Sequence, residues 1–307
     1  MRTYLIRRLL VSVLVVIGVS ILTFSMMHLV PGDPVELMYG RHLVSKDIIQ
    51  NVRHELGLDL PVPVQYLRYF THALQGDLGR SVRSQRPVLQ EILARAPSTF
   101  ELAFSGLVIG LLIGGPMGLV SALRRGSLAD KFAMVFALLG VSAPQFWLGL
   151  VLISVFAVRL NWFPVLGLGA GRGLVLPALT MGLGEAGLFA RIFRSSMLEV
   201  LGEDYLIVAL SKGLSRRLVV LRHAMRNALI PVVTLIGLEI GYLLAGAVVI
   251  EVVFGRPGLG SLAVDGILNR DFPIVQGVVL FTSVAFVTIN TLTDVLYSVL
   301  DPRIRYS

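Results

Sequence analysis

Two sets of ionisable side chains in this 307-residue chain stand in unusual surroundings. The first is carboxylates inside, or at the ends of, otherwise apolar runs: Glu185 and Glu239 foremost, then Glu101, Glu251 and Asp294. Such groups are costly in hydrocarbon and usually face a bundle interior or a water-filled cavity. There a carboxylate can meet a passing ammonium group or cation, or hold a fixed neighbour, and both readings stay open for Glu185 and Glu239. Asp294 lies near the cytoplasmic end of its run and reads as structural. The second set is the polar, basic interval 202–231, which opens on Glu203 and Asp204 and carries Lys212, Arg216, Arg217, Arg222 and Arg226. Little else offers chemistry. The histidines (His28, His42, His54, His72, His223) lack metal-ligand spacing, and there is no cysteine. No Ser, His and Asp combine as a catalytic set. Of Lys46, Lys131 and Lys212 none follows a glycine as a phosphate-cradling loop requires. The chain is therefore not expected to be an ATPase or a hydrolase, nor to hold a metal or cofactor.

The elements that position these groups are membrane helices. The chain is 55% hydrophobic and 15% charged, with mean hydropathy +0.80, outside the range of soluble domains. Six apolar runs, at 9–30, 98–123, 132–158, 174–190, 227–250 and 272–293, are each long enough for a bilayer core of about 30 Å, or nearly so. Backbone groups in lipid need internal partners, so the runs predict helices. The basic residues Arg2, Arg7 and Arg8, then Arg124, Arg125 and Lys131, then Arg191 to Arg226, then Arg303 and Arg305, all fall on one side if there are six spans. That side is the cytoplasm, with both termini in it. The net charge of +8 thus reports topology, and no nucleic-acid partner is expected. The first run, about 22 residues long and without a small-residue cleavage site, reads as a retained anchor.

These spans divide the chain into 1–30 with the first helix, an extracytoplasmic region 31–97, a core 98–300 and a cytoplasmic tail 301–307. The outer region should hold a turn at 31–34, helices over 45–56 and 64–74, the latter with Val64, Leu67, Phe70 and Leu74 on one face, and a short helix at 87–94. It is too small for a large core and should pack on the membrane domain or on a partner. Pro116, Pro144, Pro177 and Pro231 are expected to kink or begin spans. Gly110, Gly114, Gly118, Gly182, Gly237, Gly241 and Ala245 recur four apart, as close helix contacts need.

Within 202–231 the pattern is too regular for a slack linker. Leu206, Leu210 and Leu214 fall on one helical face, with Tyr205, Ala209 and Gly213 on the next. A helix from about 203 to 212, stopped near Gly213, would present a small-residue stripe to a docking surface. Glu203 and Asp204 suit its positive end, and Lys212 its negative end. The pattern equally admits a helix lying on anionic headgroups.

The segment MLEVLGEDYLIVALSKGLSRRLVVLRHAMRNALIPVVT, residues 197–234, resembles the cytoplasmic signature of ABC-importer permeases of the peptide/nickel group. Collinear likenesses run through the chain: HLVPGDPV, GDLGRSV, APSTFELA, GVSAPQFWLGL, VVIEVVFGRPGLG, RDFPIVQGVV and LDPRIR. The resemblance implies an all-α, polytopic, six-helix type I permease fold in a bacterial inner membrane. It makes the 203–215 helix the coupling helix, with Glu203, Asp204, Tyr205, Ala209, Lys212, Gly213 and Leu214 at the ATPase subunit. It implies a second, homologous permease, two ATP-binding subunits that bind ATP and Mg, an extracytoplasmic substrate-binding protein, and lipid. Glu239 becomes the better pathway candidate of the two carboxylates, because relatives commonly carry a neutral residue there. Dipeptides or oligopeptides are the expected cargo, with nickel chelates, glutathione and oligosaccharides as alternatives. An ion-driven secondary transporter or channel working through the intramembrane carboxylates is the rival from another class.

Overall fold

The structure is a computed structural model that describes residues 2–29, 31, 35, 50, 53–54, 57–169 and 171–300. The expected turn at 31–34, most of the expected helix at 45–56 and the tail at 301–307 lie outside the described residues. Every regular element among those described is helical: α1 (Arg2–Leu29), α2 (Val62–Leu74), α3 (Val88–Leu123), α4 (Leu128–Ser142), α5 (Gln145–Leu152), α6 (Arg172–Leu201), α7 (Asp204–Ser211), α8 (Arg216–Leu218), α9 (Ile230–Val253), α10 (Leu259–Leu268) and α11 (Phe272–Leu300). A π-helical stretch, Ile153–Arg159, extends α5, while Val219–Ala224 and Met225–Ala228 extend α8. Five helices are long and apolar enough to cross a membrane, and α4 with α5 makes a sixth if that bent pair is one span.

The bend in the third span falls at Pro144, one of the prolines expected to kink or begin a span. Leu128–Ser142 and Gln145–Arg159 meet at 107°. Pro144 lacks an N–H and crowds the residue before it, so Ala143 is extended (φ −75°, ψ 130°) and the helix cannot pass through. Pro231 opens α9, as expected. The other prolines behave differently. Pro177 sits inside α6, and α3 runs unbroken through Pro97 and Pro116. The expected short helix at 87–94 and second span are therefore one element of 36 residues. Packed neighbours in a membrane can re-satisfy the backbone groups that a proline frees.

The chain forms two compact units, Met1–Thr99 with Pro257–Ser307, and Phe100–Arg256. In the first, α1 lies along α11, α10 packs on α11, and α2 touches α1. The buried face of α2 is not the expected stripe. Val64, Leu67 and Leu74 are exposed, whereas Gln65 bonds His28 at 3.0 Å and Tyr66 meets Ser20 at 2.9 Å. Phe24 packs edge-on against Tyr66. Aromatic and amide side chains with polar tips thus anchor α2 to a helix that offers Ser20 and His28 as partners. The first turns of α3 join α10 and α11 in an apolar core of Val88, Ile92, Ala96, Leu259, Leu262, Ile274 and Val278. Asp271, buried ahead of α11, accepts the Ser81 hydroxyl at 2.6 Å.

In the second unit α6 lies among α3, α4, α5 and α9. Glycines set its approach to α3. A Cβ at Gly114 would stand 2.5 Å from the Ala186 carbonyl oxygen, and one at Gly118 2.6 Å from that of Ala190. Gly110 meets the Cβ of Glu185 in the same way, at 2.7 Å. The far side of α6 repeats the device, with Gly187 against the Ala137 carbonyl at 2.3 Å and Gly140 against that of Leu183 at 2.8 Å. Lipid tails are as apolar as leucine, so dispersion gained by such approach is a main source of helix association here. Arg256 closes the unit at the other end. Its guanidinium is 2% exposed and donates to Glu101 at 2.5 Å and to the carbonyls of Gly167 and Gly169 at 3.0 and 2.9 Å.

Candidate functional site

The polar interval folds as a short helix held out from the spans. Gly202 caps α6, Glu203 is extended (φ −79°, ψ 137°), and α7 runs for eight residues to Ser211. Lys212 donates its N–H to the Val208 carbonyl at 3.1 Å and Gly213 to Leu210 at 2.9 Å. Gly213 itself has φ +82°, the left-handed conformation that ends many helices and that glycine enters without steric cost. Nothing lies within 4 Å of where its Cβ would be. The glycine is needed for the turn and leaves open space in front of it.

Leu206 fastens α7 to its own chain and is 3% exposed. The segment 219–224, where Val219, Val220 and Ala224 are buried, packs against α7. Asn227 donates to the Tyr205 hydroxyl at 2.7 Å, which holds that ring to the same segment. Of the expected small-residue stripe, Tyr205 and Gly213 face outward. Ala209 and Leu214 are half-buried, whereas Glu203, Asp204, Tyr205, Lys212 and Gly213 are exposed. Ile207 and Val208, which the sequence reading left out of the site, are 59% and 51% exposed, and Leu210 is exposed beside them. Their signal was available: an eight-residue helix outside the apolar spans with six apolar residues has more of them than one inner face can take.

About two turns of α6 upstream, a buried carboxylate braces this region. Asp130, 5% exposed, receives Nε and Nη2 of Arg194 at 2.8 and 2.9 Å, the Gly126 N–H at 2.9 Å and the Ser121 hydroxyl. The fork of the guanidinium makes the pair bidentate and fixes α4 against α6. Sequence spacing gave no sign of this pair, whose members are 64 residues apart.

The intramembrane carboxylates separate into two classes. Glu101 pairs with Arg256, and Asp294, as expected of a structural residue, pairs with Arg8. Glu185 is 5% exposed and its Oε2 has no hydrogen-bond partner among the described residues. Glu239 on α9 is half-buried and near enough to act electrostatically on Glu185. Gln145, at the bend between α4 and α5, reaches toward Gly184 and Gly246, its amide lying 3.5 and 3.8 Å from where their Cβ atoms would be. Glu185 on α6 and Glu239 on α9 thus act on one another, and Gln145 adds an amide beside Gly184, the neighbour of Glu185. Among the described residues no three His, Asp or Glu side chains stand together as a metal site.

Comparison with known proteins adds the following. Residues 106–306 match the family model described as binding-protein-dependent transport system inner membrane component. Residues 1–103 match that of its N-terminal membrane component. The glutathione transport system permease protein GsiC of Salmonella paratyphi A is 44% identical over 306 residues, covering 100% of both chains. The proteins of that name from Pectobacterium atrosepticum and Escherichia coli K12 are 44% and 42% identical over the same length. Among solved structures, an inward-facing MetNI methionine ABC transporter matches with TM-score 0.59 and 16% identity, covering 69% of this chain and 97% of that one. A second amino acid ABC transporter, with histidines, matches with TM-score 0.52 and 17% identity over 70% and 94% of the two chains. At those identities the structural likeness bears on the fold, which is that of an importer permease.

Proposed function

The chain belongs to the family of binding-protein-dependent transport system inner membrane components, and from that premise we propose that it carries short peptides across the membrane, with glutathione the first cargo to test. It is a multi-pass inner-membrane protein that works with an ATPase and a substrate-binding protein, and ATP hydrolysis belongs to separate subunits. The observation that supports the cargo is the collinear identity of 44% with the GsiC permeases, from first residue to last. Glutathione is itself a tripeptide, so the same evidence supports the wider class. The proposal extends to a heterodimer with a second, homologous permease.

In this reading α7 is the coupling helix. Closure of the ATP-bound nucleotide-binding dimer carries α7 with it, and rigid-body movement of the two permeases turns the cavity outward to receive cargo from the binding protein. Hydrolysis resets the inward state. ATP shifts the equilibrium because it interacts differently with the two states, and dimer closure supplies that difference.

The test is uptake by proteoliposomes that contain this chain, the second permease, both ATP-binding subunits and the binding protein. ATP-dependent accumulation of labelled glutathione or dipeptide is expected. Accumulation by this chain alone, driven by an ion gradient without ATP, would overturn the reading in favour of a secondary transporter.

A further inference from the structure

We propose that the cytoplasmic groove beside the coupling helix is a binding site for an anionic phospholipid. The inference deepens the importer reading and rests on it for the cytoplasmic placement of α7. The groove, of about 540 Å³, lies between the end of α3 and the 216–221 segment, within the size range of ligand sites. Its walls are Leu119, Leu123, Val220 and Leu221, and its rim carries Arg124, Arg216 and Arg217. All three arginines are exposed, and among the described residues none of them has a carboxylate partner. Their guanidiniums therefore repel one another across an apolar trough.

That combination has one complementary occupant. The walls ask for an acyl chain, and the rim asks for a phosphodiester with net negative charge. Leu119 to Arg124 end a membrane span, so the groove opens where headgroups begin, on the side where basic residues meet anionic lipid. A soluble anion would leave the leucines wet, and an acidic peptide would leave them unfilled unless it brought its own apolar side chain. The 219–224 segment, which supplies Val220 and Leu221 to the groove, also packs on α7. A bound lipid would brace the far side of the coupling helix and tie docking to the composition of the membrane.

The assembled transporter can be placed in nanodiscs of phosphatidylcholine with or without phosphatidylglycerol, and retained lipid counted by native mass spectrometry. Wild type is expected to keep phosphatidylglycerol in preference to phosphatidylcholine. Each of Arg124→Gln, Arg216→Gln and Arg217→Gln should weaken retention roughly fivefold. Leu221→Trp fills the trough without touching charge, and should weaken it too. Retention by the triple variant equal to that of wild type overturns the site. So does loss of the ATP-binding subunits from the triple variant in phosphatidylcholine alone, which would assign the arginines to that protein. Should the triple variant fail to fold or insert, Leu221→Trp and the salt dependence of wild-type retention decide: unchanged retention in either overturns the proposal. Binding-protein-stimulated ATP hydrolysis is read separately. Its absence from a wild type that selectively keeps phosphatidylglycerol would sink the importer reading and leave the lipid site standing.

Discussion

Ile207 and Val208 lie on the outer surface of α7, and each is more than half exposed. Branched apolar residues at the tip of a cytoplasmic helix should be covered by a partner, because large apolar patches on soluble surfaces mark interaction sites. Ile207→Asp with Val208→Asp places charge in that contact, where burial without a partner costs several kcal/mol. The expected outcome is normal insertion and thermal stability, with at least tenfold loss of ATPase stimulation and loss of the ATP-binding subunits on copurification. Retained subunits and full stimulation would remove these two residues from the interface. Gly213→Ala tests the other end of α7. Its φ of +82° costs an alanine roughly 1–2 kcal/mol, but the open space in front leaves no clash. A modest fall in coupling is expected, smaller than that from Gly213→Trp, which also fills the space a docking partner would enter.

At the scale of elements, the bidentate contact between Asp130 and Arg194 holds α4 to α6 close to where α6 passes into α7. Asp130 is buried but Arg194 keeps some access to solvent, so removing one partner should cost about 1–3 kcal/mol, the penalty for leaving the other without its hydrogen bonds. Asp130→Asn and Arg194→Gln should each lower the thermal midpoint sharply and uncouple transport. The double variant should lose less than the sum, since the two act as one unit. Additive losses in thermal melts of the three proteins would show that the contact carries no coupling energy. The glycine faces make a second prediction: Gly114→Leu drives a side chain into the Ala186 carbonyl and should prevent a monodisperse, folded protein. Those faces were legible in the sequence because spacing by four is all that close packing needs, and so were the length of α7, from its acidic start and terminal glycine, and most of the span positions. A kink at Pro144 was legible too, but its sharpness, 107°, was not, because a proline announces only a lost hydrogen bond. Whether a helix passes through, as at Pro97, Pro116 and Pro177, or breaks, as at Pro144, depends on neighbours that no local pattern names. The inner face of α2 was missed for a related reason. Its anchors, Gln65 and Tyr66, are buried by partners on α1, and periodicity in apolar residues cannot register a hydrogen bond.

For the molecule as a whole, the question is which carboxylates serve the cargo and which serve the fold. Arg256 and Arg8 account for Glu101 and Asp294. Glu251 is fully buried near the end of α9. Glu185 and Glu239 remain, near enough to act on one another and with no arginine paired to either among the described residues, and Gln145 lies beside Gly184, the neighbour of Glu185. Short peptides, glutathione included, carry an ammonium group, and a carboxylate along the path could hold it in passing. A charge-assisted hydrogen bond of that kind is worth about 1.5–3 kcal/mol, so Glu239→Gln should slow uptake roughly tenfold or more. In the proposed reading docking and ATPase activation run through α7, which this change does not touch. Binding-protein-stimulated hydrolysis should therefore persist while cargo moved per ATP falls. The measurement is the ratio of labelled glutathione accumulated to phosphate released in the same proteoliposomes. An unchanged ratio would show that Glu239 lies off the path. A fall in both quantities together would move it to the structural class with Glu101 and Asp294. Glu185→Gln should give the same sign, and the pair of changes less than the product of the two effects, because side chains that share one site do not act independently.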